Sequence, residues 1–149
     1  MAREAPDGAR LAIGLGLDPG HLKCGLAALD AERRLVFHRV VPADQLDAAL
    51  ADIVAGFNVV WAVVGDGTRS AQVTAVVARH VARSVVYVRD ETGTTLLGRE
   101  RYWREHPPRG LWRLVPTTLR LPPVPIDDWV AVILAERFHD DFSASQAGS

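Results

Sequence analysis

The stretch from Leu11 to Asp30 constrains the fold of this chain more than any other. It reads LAIGLGLDPGHLKCGLAALD, two apolar segments around a Pro-Gly pair. In a strand, alternate side chains share a face, so the leucines and isoleucine of the first segment lie on one side and the small residues lie on the other side with Asp18. Pro19 and Gly20 favour a tight reversal, and the extended pattern resumes at Cys24. The pattern predicts a hairpin that holds a carboxylate rigidly beside open space, which suits a metal ion or a phosphate.

The size and composition of the chain indicate one domain. Its 149 residues, 48% hydrophobic and 23% charged, provide enough material for one core but not for two. No apolar run reaches the roughly 18 to 20 residues that span a bilayer, and the first ten residues lack the hydrophobic segment of a secretory signal. Cys24 is the only cysteine, so no internal disulfide can form. Together these features predict a cytoplasmic protein without membrane association.

Charge is segregated along the chain although the net charge is only −1. Residues 79–120 contain nine arginines against four acidic residues, a net +5, so the remainder carries −6. This segregation fits a protein that gathers carboxylates in one place and binds phosphates from another. A general preference for arginine explains the excess equally well, because Lys23 is the one lysine among 17 basic residues.

Apolar periodicity predicts an α/β fold in which three antiparallel strands precede alternating helices and strands. The predicted strands span residues 11–17, 24–29, 34–41, 58–65 and 84–88, and the predicted helices span 44–57, 70–82, 94–104 and 127–138. Right-handed crossovers would place the ends of the first and fourth strands side by side, in a five-stranded mixed sheet with helices on both faces. The order β-β-β-α-β-α-β-α is the ribonuclease H-like arrangement.

The domain is expected to span residues 11–140. A flexible N-terminus (1–10) would precede it and a flexible tail (141–149) would follow it. A proline-rich loop from 107 to 125 would separate the last two helices.

Four motifs occur in this order: LDPGHLKCGLA, GDGT, RDETGTT and IDDWVAVIL. Through them the chain resembles, from about Leu11 to Phe138, the YqgF (RuvX) family of Holliday-junction resolvases and ribosomal RNA precursor nucleases, which are distant relatives of RuvC. RDETGTTLLGRE is similar to the family's D-E-R-x-T-T block, with Thr92 where the family usually carries arginine. The resemblance implies a ribonuclease H-like nuclease that acts on branched or single-stranded DNA or on structured RNA.

Three carboxylates are the expected catalytic set. Phosphodiester hydrolysis needs an activated water and stabilisation of negative charge, which two Mg²⁺ or Mn²⁺ ions held by carboxylate oxygens can supply. Asp18, Glu91 and one aspartate of the last helix would hold them. Asp127 shares the apolar face of that helix and matches the family's aspartate, whereas Asp128 points around the side and is a further candidate ligand. A helix N-cap role for Asp127 is compatible with metal binding.

Basic, hydroxyl and aromatic residues are the candidates for contact with nucleic acid. Thr94 reads as a helix N-cap and a phosphate contact. Trp112 lies among arginines and is a base-stacking candidate, with anchoring of its loop as the alternative. The arginines fit phosphate contacts or an ordinary solvated surface. The predicted set is Lys23, Thr94, Thr95, Arg99, Arg101, Arg104 and Trp112.

Two other classes of function stay open. One is a nucleic-acid-binding module that keeps the nuclease scaffold without turnover. The other is an ATP-binding phosphotransfer domain, which uses a similar D-x-G hairpin but needs two such domains around a cleft. Within the nuclease class, symmetric cutting of a DNA junction would require a homodimer.

Overall fold

The computed structural model describes residues 9–116 and 119–148. Residues 1–8 of the predicted flexible N-terminus, residues 117 and 118 of the proline-rich loop and residue 149 lie outside the described residues. The strands are β1 (Leu11–Pro19), β2 (Lys23–Leu29), β3 (Leu35–Pro42), β4 (Phe57–Gly65) and β5 (Val86–Arg89), and the helices are α1 (Leu46–Gly56), α2 (Ser70–Val77), α3 (Thr94–Glu105) and α4 (Asp127–Ala147).

The strands form one sheet in the order β3-β2-β1-β4-β5. β1 pairs antiparallel with β2 and parallel with β4, and Leu17 lies opposite Val64 near the ends of both strands. The turns before β2 and β3 have three and five residues, and turns this short join antiparallel neighbours, whereas the helical connections allow the parallel pairs. The predicted topology is therefore confirmed, and Asp18 lies at the junction of β1 and β4.

One face of the sheet packs against α1 and α2. Ile13, Leu15 and Leu17 of β1 are buried there with Leu50 of α1 and Val77 of α2. Their spacing of two along the strand directs all three strand side chains to this face. This core confirms the alternation predicted from the sequence.

The opposite face of β1 is filled by α4. A Cβ placed at Gly16 would lie 2.5 Å from the carbonyl oxygen of Ala131, and a Cβ at Gly14 would lie 2.0 Å from the Trp61 ring. The absence of side chains lets the helix backbone and the indole ring pack directly on the strand. The predicted open space beside β1 is therefore wrong along the length of the strand.

A bulge in β4 determines which of its residues face α4. Ile13 of β1 pairs with Val59, but Gly14 pairs with Trp61, so Val60 is an extra residue on β4. Trp61 consequently packs with Val63 on the α4 side of the sheet. Because side chains alternate along the strand after the bulge, Gly65, the last residue of β4, lies on the same side of the sheet as Trp61, Val63 and Asp18.

α4 is longer than predicted and is packed on two sides. It continues to Ala147 and includes residues that the sequence assigned to a flexible tail. Phe142 stacks on Phe138 with ring centroids 5.8 Å apart, and α3 packs on the other side of α4 through Gly98. α4 therefore lies between the sheet and α3. In the described ranges, no helix combines the length and apolarity that crossing a membrane requires.

Two helix boundaries differ from the prediction. Asp44 lies in a short 3-10 helix, Ala43–Gln45, and does not cap α1. α2 ends at Val77 rather than Ala82, because the next amides bond three residues back, as His80 N does to Val77 O at 3.0 Å. The tighter turns end the α-helix early.

Replacing Trp61 with alanine is expected to lower the free energy of unfolding by about 3–5 kcal/mol, because the buried indole packs against Gly14 and Phe138. Urea denaturation followed by far-UV circular dichroism measures the change. The same replacement at Trp112, which is 53% exposed, is the control and should change stability by less than about 0.5 kcal/mol. Equal effects at the two tryptophans would contradict the assignment of Trp61 to the core.

Candidate active site

Asp18 lies in the penultimate position of β1, on the face covered by α4. It pairs with Gly25 of β2, and Leu17 before it pairs with Val64 of β4. Asp18 is half-buried. Strand pairing on both sides fixes the backbone, so the carboxylate has a defined position at the end of the sheet.

Glu91 follows β5 and is brought to the end of β4 by two glycines. A Cβ at Gly65 would lie 2.3 Å from Glu91 Oε2, and a Cβ at Gly67 would lie 2.5 Å from Oε1. Between them, Asp66 Oδ1 accepts a hydrogen bond from Glu91 N at 3.2 Å. The G-D-G sequence therefore forms a seat for the Glu91 side chain, and Asp66 positions this residue.

The Asp18 and Glu91 carboxylates are neighbours, and their environment disfavours two negative charges. Burial, followed by the charges of Glu91 and Asp127, raises the pKa of Asp18 to about 7. Burial also raises the pKa of Glu91, against a hydrogen bond that the Asp18 carboxyl donates when it is protonated. When Asp18 is ionised, the buried Glu91 Oε2 has no hydrogen-bond donor. A proton or a cation between the two groups relieves this repulsion.

Asp127 is brought beside Asp18 by the glycines of the β1-β2 hairpin. A Cβ at Gly25 would lie 1.9 Å from the carbonyl oxygen of Asp127, and one at Gly20 would lie 3.7 Å from Asp127 Oδ1. Asp127 is the first residue of α4, and Ile126 occupies the N-cap position, so the predicted N-cap role is not the one observed. The helix therefore begins against the hairpin and presents its first carboxylate to Asp18.

Asp128 has a structural role that was not predicted. It is buried, its Oδ2 accepts a hydrogen bond from His38 Nδ1 at 2.7 Å, and its Oδ1 accepts one from Trp129 N at 3.0 Å. The bond from His38 ties the start of α4 to β3. The prediction that Asp128 is a further metal ligand stays a prediction, because each carboxylate oxygen accepts one hydrogen bond and keeps another lone pair.

Two of the residues predicted to contact nucleic acid make hydrogen bonds within the domain. Thr94 is only 1% exposed, follows the N-cap residue Gly93, and donates its hydroxyl to the carbonyl oxygen of Glu91. Arg101 Nη1 donates to Glu136 Oε1 at 2.9 Å, and its side chain is largely covered. Thr94 therefore positions Glu91, and Arg101 joins α3 to α4.

The other predicted contacts differ in exposure. Arg99 is half-buried, whereas the remaining four are exposed: Lys23, Thr95, Arg104 and Trp112. Exposure leaves these four side chains accessible to a ligand, so the prediction for them stands as an expectation.

Arg137 is a residue of the site that the sequence did not indicate. Its Nη1 donates to the carbonyl oxygen of Thr92 at 3.2 Å, in the loop that carries Glu91. Within the same loop, Asp90 Oδ1 accepts hydrogen bonds from the hydroxyl and the amide of Thr92, which lower the pKa of Asp90. The Asp-x-Thr spacing is a local signal for that turn. Arg137 gives no such signal, because it reaches the loop from α4.

The donor set fits a hard divalent cation in part. Oxygen ligands are what Mg²⁺ and Mn²⁺ prefer, and the buried Glu91 Oε2 without a donor is an oxygen that a cation would satisfy. Across residues 9–116 and 119–148, however, no group of three or more His, Cys, Asp or Glu side chains is already arranged as a metal site. Asp18 and Glu91 are thus adjacent and Asp127 is beside them, without a completed ligand set.

Comparisons with known proteins identify the fold. No protein-family profile matches the sequence, and no curated protein sequence matches it. A structure of T. thermophilus RuvC in complex with a Holliday junction substrate has a TM-score of 0.53 at 17% identity, over 91% of this chain and 96% of that chain. This chain has a ribonuclease H-like fold. A second Thermus thermophilus RuvC structure agrees, with a TM-score of 0.53 at 16% identity over 89% and 94% of the two chains.

Proposed function

We propose that this protein is a divalent-metal-dependent nuclease that hydrolyses phosphodiester bonds of nucleic acid. The observation that carries the proposal is the seating of Glu91 between Gly65 and Gly67 beside Asp18, with a buried Oε2 atom that has no donor when Asp18 is ionised. A fold gains no stability from two adjacent carboxylates in a partly buried place, so their presence there is explained best by a bound cation. The ribonuclease H-like fold is compatible with this chemistry but does not by itself imply it.

In this proposal, Asp18, Glu91 and Asp127 hold Mg²⁺ or Mn²⁺ in a two-metal site. When bound, the cations supply an activated water and stabilise the charge that develops on the phosphate. Asp66 and Thr94 orient the loop of Glu91 through its amide and its carbonyl oxygen.

Phosphate contacts are assigned to exposed side chains of the hairpin and of α3. Lys23 lies at the start of β2, and Thr95 and Arg104 lie on α3. These residues add positive charge and hydrogen-bond donors for the nucleic-acid backbone.

Branched DNA is the first substrate to test. The RuvC structure that resembles this chain is bound to a Holliday junction, and the motifs of the sequence resemble those of the YqgF (RuvX) resolvases. The same family resemblance adds precursor ribosomal RNA as a second substrate, and symmetric cutting of a junction would require a homodimer.

A binding module without turnover is the second candidate function. The incomplete ligand set in the described part of the chain favours it. Such a protein would bind branched or single-stranded nucleic acid through its exposed basic residues and would leave every phosphodiester bond intact.

A cleavage assay separates the two functions. Labelled four-way DNA junctions, linear DNA and structured RNA are incubated with Mg²⁺, Mn²⁺ or EDTA. Cleavage is expected only with a metal, and Glu91→Gln should reduce its rate at least about a hundredfold, because the amide weakens a metal ligand. Glu100→Gln, on the exposed side of α3, is the matched control and should leave the rate unchanged. Cleavage in EDTA, or full activity of Glu91→Gln, would contradict the nuclease proposal, and binding without cleavage would support the module.

A further inference from the structure

The connection between α3 and α4 exposes an unusual set of large apolar side chains. The 3-10 helix Gly110–Leu114 has no buried residue. Leu111 is 82% exposed, Trp112 is 53% exposed and Leu114 is 81% exposed. Three large apolar side chains on five consecutive residues form a patch that water solvates poorly, and patches of this kind mark binding surfaces. We refer to Gly110–Leu114 as the Trp112 turn.

The charge around the Trp112 turn indicates the kind of ligand. From residue 106 to residue 126 the sequence contains three arginines and neither aspartate nor glutamate. Arg113 Nε donates to the carbonyl oxygen of Gly110 at 3.3 Å, which keeps the guanidinium on the same turn as the indole. Arg109 lies immediately before the turn and is exposed. An accessible aromatic ring between arginines is complementary to bases and phosphates of a single strand.

Trp103, and not Trp112, anchors the connection between α3 and α4. Trp103 Nε1 donates to the carbonyl oxygen of Arg120 at 3.1 Å, and the guanidinium of Arg120 lies over the Trp103 ring at 5.1 Å from its centroid. The alternative role predicted for Trp112, anchoring its loop, would require the burial that Trp103 has and Trp112 lacks. The anchored connection continues directly into Asp127 at the candidate metal site.

We propose that the Trp112 turn binds unpaired nucleotides, with a base stacked on Trp112 and the adjoining phosphates held by Arg109 and Arg113. This inference rests on the proposed function and specifies its substrate class: nucleic acid that offers an unpaired stretch, such as the open centre of a branched molecule or a single-stranded RNA segment. A fully paired duplex keeps its bases stacked on each other and presents none to the indole.

Binding measurements without metal test this inference separately from catalysis. Fluorescence anisotropy in EDTA compares labelled oligo-dT, oligo-rU and a duplex of equal length. Trp112→Leu keeps the turn apolar but removes the π-face, so it should weaken binding to single strands about tenfold and leave binding to duplex unchanged. Trp112→Phe retains an aromatic face and should stay within about threefold of the wild type. Val60→Thr, an exposed and nearly isosteric change at the β4 bulge, is the control and should have no effect.

The salt dependence of single-strand binding tests the proposed phosphate contact of Arg113. Arg113→Gln should reduce the slope of log affinity against log salt by about 0.7 for a single strand, the value of one phosphate contact. Circular dichroism of each variant checks its folding, and the salt slope of Arg113→Gln does not depend on any change at Trp112. Binding of oligo-dT, of oligo-rU or of both that weakens in Trp112→Leu supports the proposal, and a preference for one of them indicates DNA or RNA.

Other outcomes would overturn the inference and leave the proposed nuclease untouched. One such outcome is that Trp112→Leu binds both single strands with the affinity of the wild type. Another is a wild-type dimer in sedimentation that Trp112→Leu converts to monomer while oligonucleotide affinity is unchanged, because the turn would then be an interface between two copies of this chain. Conversely, an inactive protein that shows the Trp112 dependence would refute the nuclease and retain the binding surface.

Discussion

Asp18→Asn is expected to stabilise the metal-free protein at pH 8 and to reduce metal-dependent cleavage by at least about a hundredfold. The two effects have one cause, which is the charge on Asp18. That charge is unfavourable beside Glu91 when no cation is bound, and it is needed to bind the cation. Asparagine removes the charge at nearly unchanged volume and can donate a hydrogen bond to Glu91.

The pH dependence of the free energy of unfolding follows from the raised pKa of Asp18. Between the ordinary aspartate pKa of 3.8 and the folded pKa of about 7, Asp18 holds a proton in the folded protein and has lost it in the unfolded chain. The contribution of Asp18 to stability is therefore fully present below about pH 4 and is lost as the pH rises to about 7, by up to about 1.4 kcal/mol per pH unit. Asp18→Asn has no carboxyl group to titrate at this position. The difference in free energy of unfolding between the variant and the wild type should therefore grow from about pH 4 to about pH 7 and stay constant above about pH 7.

Urea denaturation between pH 4 and pH 8 in EDTA measures this difference. Asp52→Asn, on the exposed side of α1, is the control and should follow the wild-type curve. Thermal unfolding with and without Mn²⁺ then tests the cation directly, because Mn²⁺ should stabilise the wild type at pH 8 and should not stabilise Asp18→Asn. If Asp18→Asn is no more stable than the wild type at pH 8, this account of the carboxylates is wrong. The same holds if Mn²⁺ stabilises Asp18→Asn as much as it stabilises the wild type.

Gly25→Ala is expected to have the second largest effect, on both folding and activity. Its Cβ would lie 1.9 Å from the carbonyl oxygen of Asp127 and 2.8 Å from Asp128 N. Both contacts are with backbone, so the start of α4 would have to move away from β2. We expect a loss of about 3 kcal/mol or more in the free energy of unfolding, since overpacking of a rigid contact is not relieved by a change of rotamer.

The displaced helix would also carry Asp127 away from Asp18. Cleavage should therefore fall along with stability, and the stability loss between about pH 4 and pH 7 should be smaller than in the wild type, because one charge that raises the pKa of Asp18 is removed. Gly148→Ala, whose Cβ would find its nearest neighbour at 3.5 Å, is the matched control and should be neutral. Wild-type stability of Gly25→Ala would show that the contact between the hairpin and α4 is not as close as described.

Gly25→Ala shows how the site depends on residues without side chains. Gly65 and Gly67 make room for the Glu91 carboxylate, and Gly25 makes room for the backbone of Asp127. Each carboxylate reaches the end of the sheet because a glycine leaves the space that a Cβ would occupy. A single methyl group at one of these positions is consequently a change in the geometry of the proposed metal site.

Local pattern was sufficient to predict the sheet. The alternation in β1, the tight turns of the meander and the helical connections before β4 and β5 each follow from neighbouring residues, and together they left one topology. The selection of Asp18, Glu91 and Asp127 also came from the sequence, through their positions at the ends of elements and through the resemblance of their motifs to a nuclease family.

Roles that depend on distant residues were not accessible in the same way. The sequence placed Asp128 on the side of α4 as a further candidate ligand, but it did not indicate that Asp128 Oδ2 accepts a hydrogen bond from His38 of β3. Thr94 and Arg101 fit nucleic-acid contacts by residue type, but the structure gives them partners inside the domain.

The sequence by itself determined the order of the strands, the acidic residue at the end of β1 and the arginine-rich segment that contains Trp112, because each is a property of contiguous residues. Only the tertiary structure decided that α4 fills the glycine face of β1, that Glu91 rests between Gly65 and Gly67, and that Trp112 is exposed while Trp103 anchors the connection. The physical reason is that close packing and charge interactions act between atoms that are near in space, and the linear pattern carries no measure of that distance.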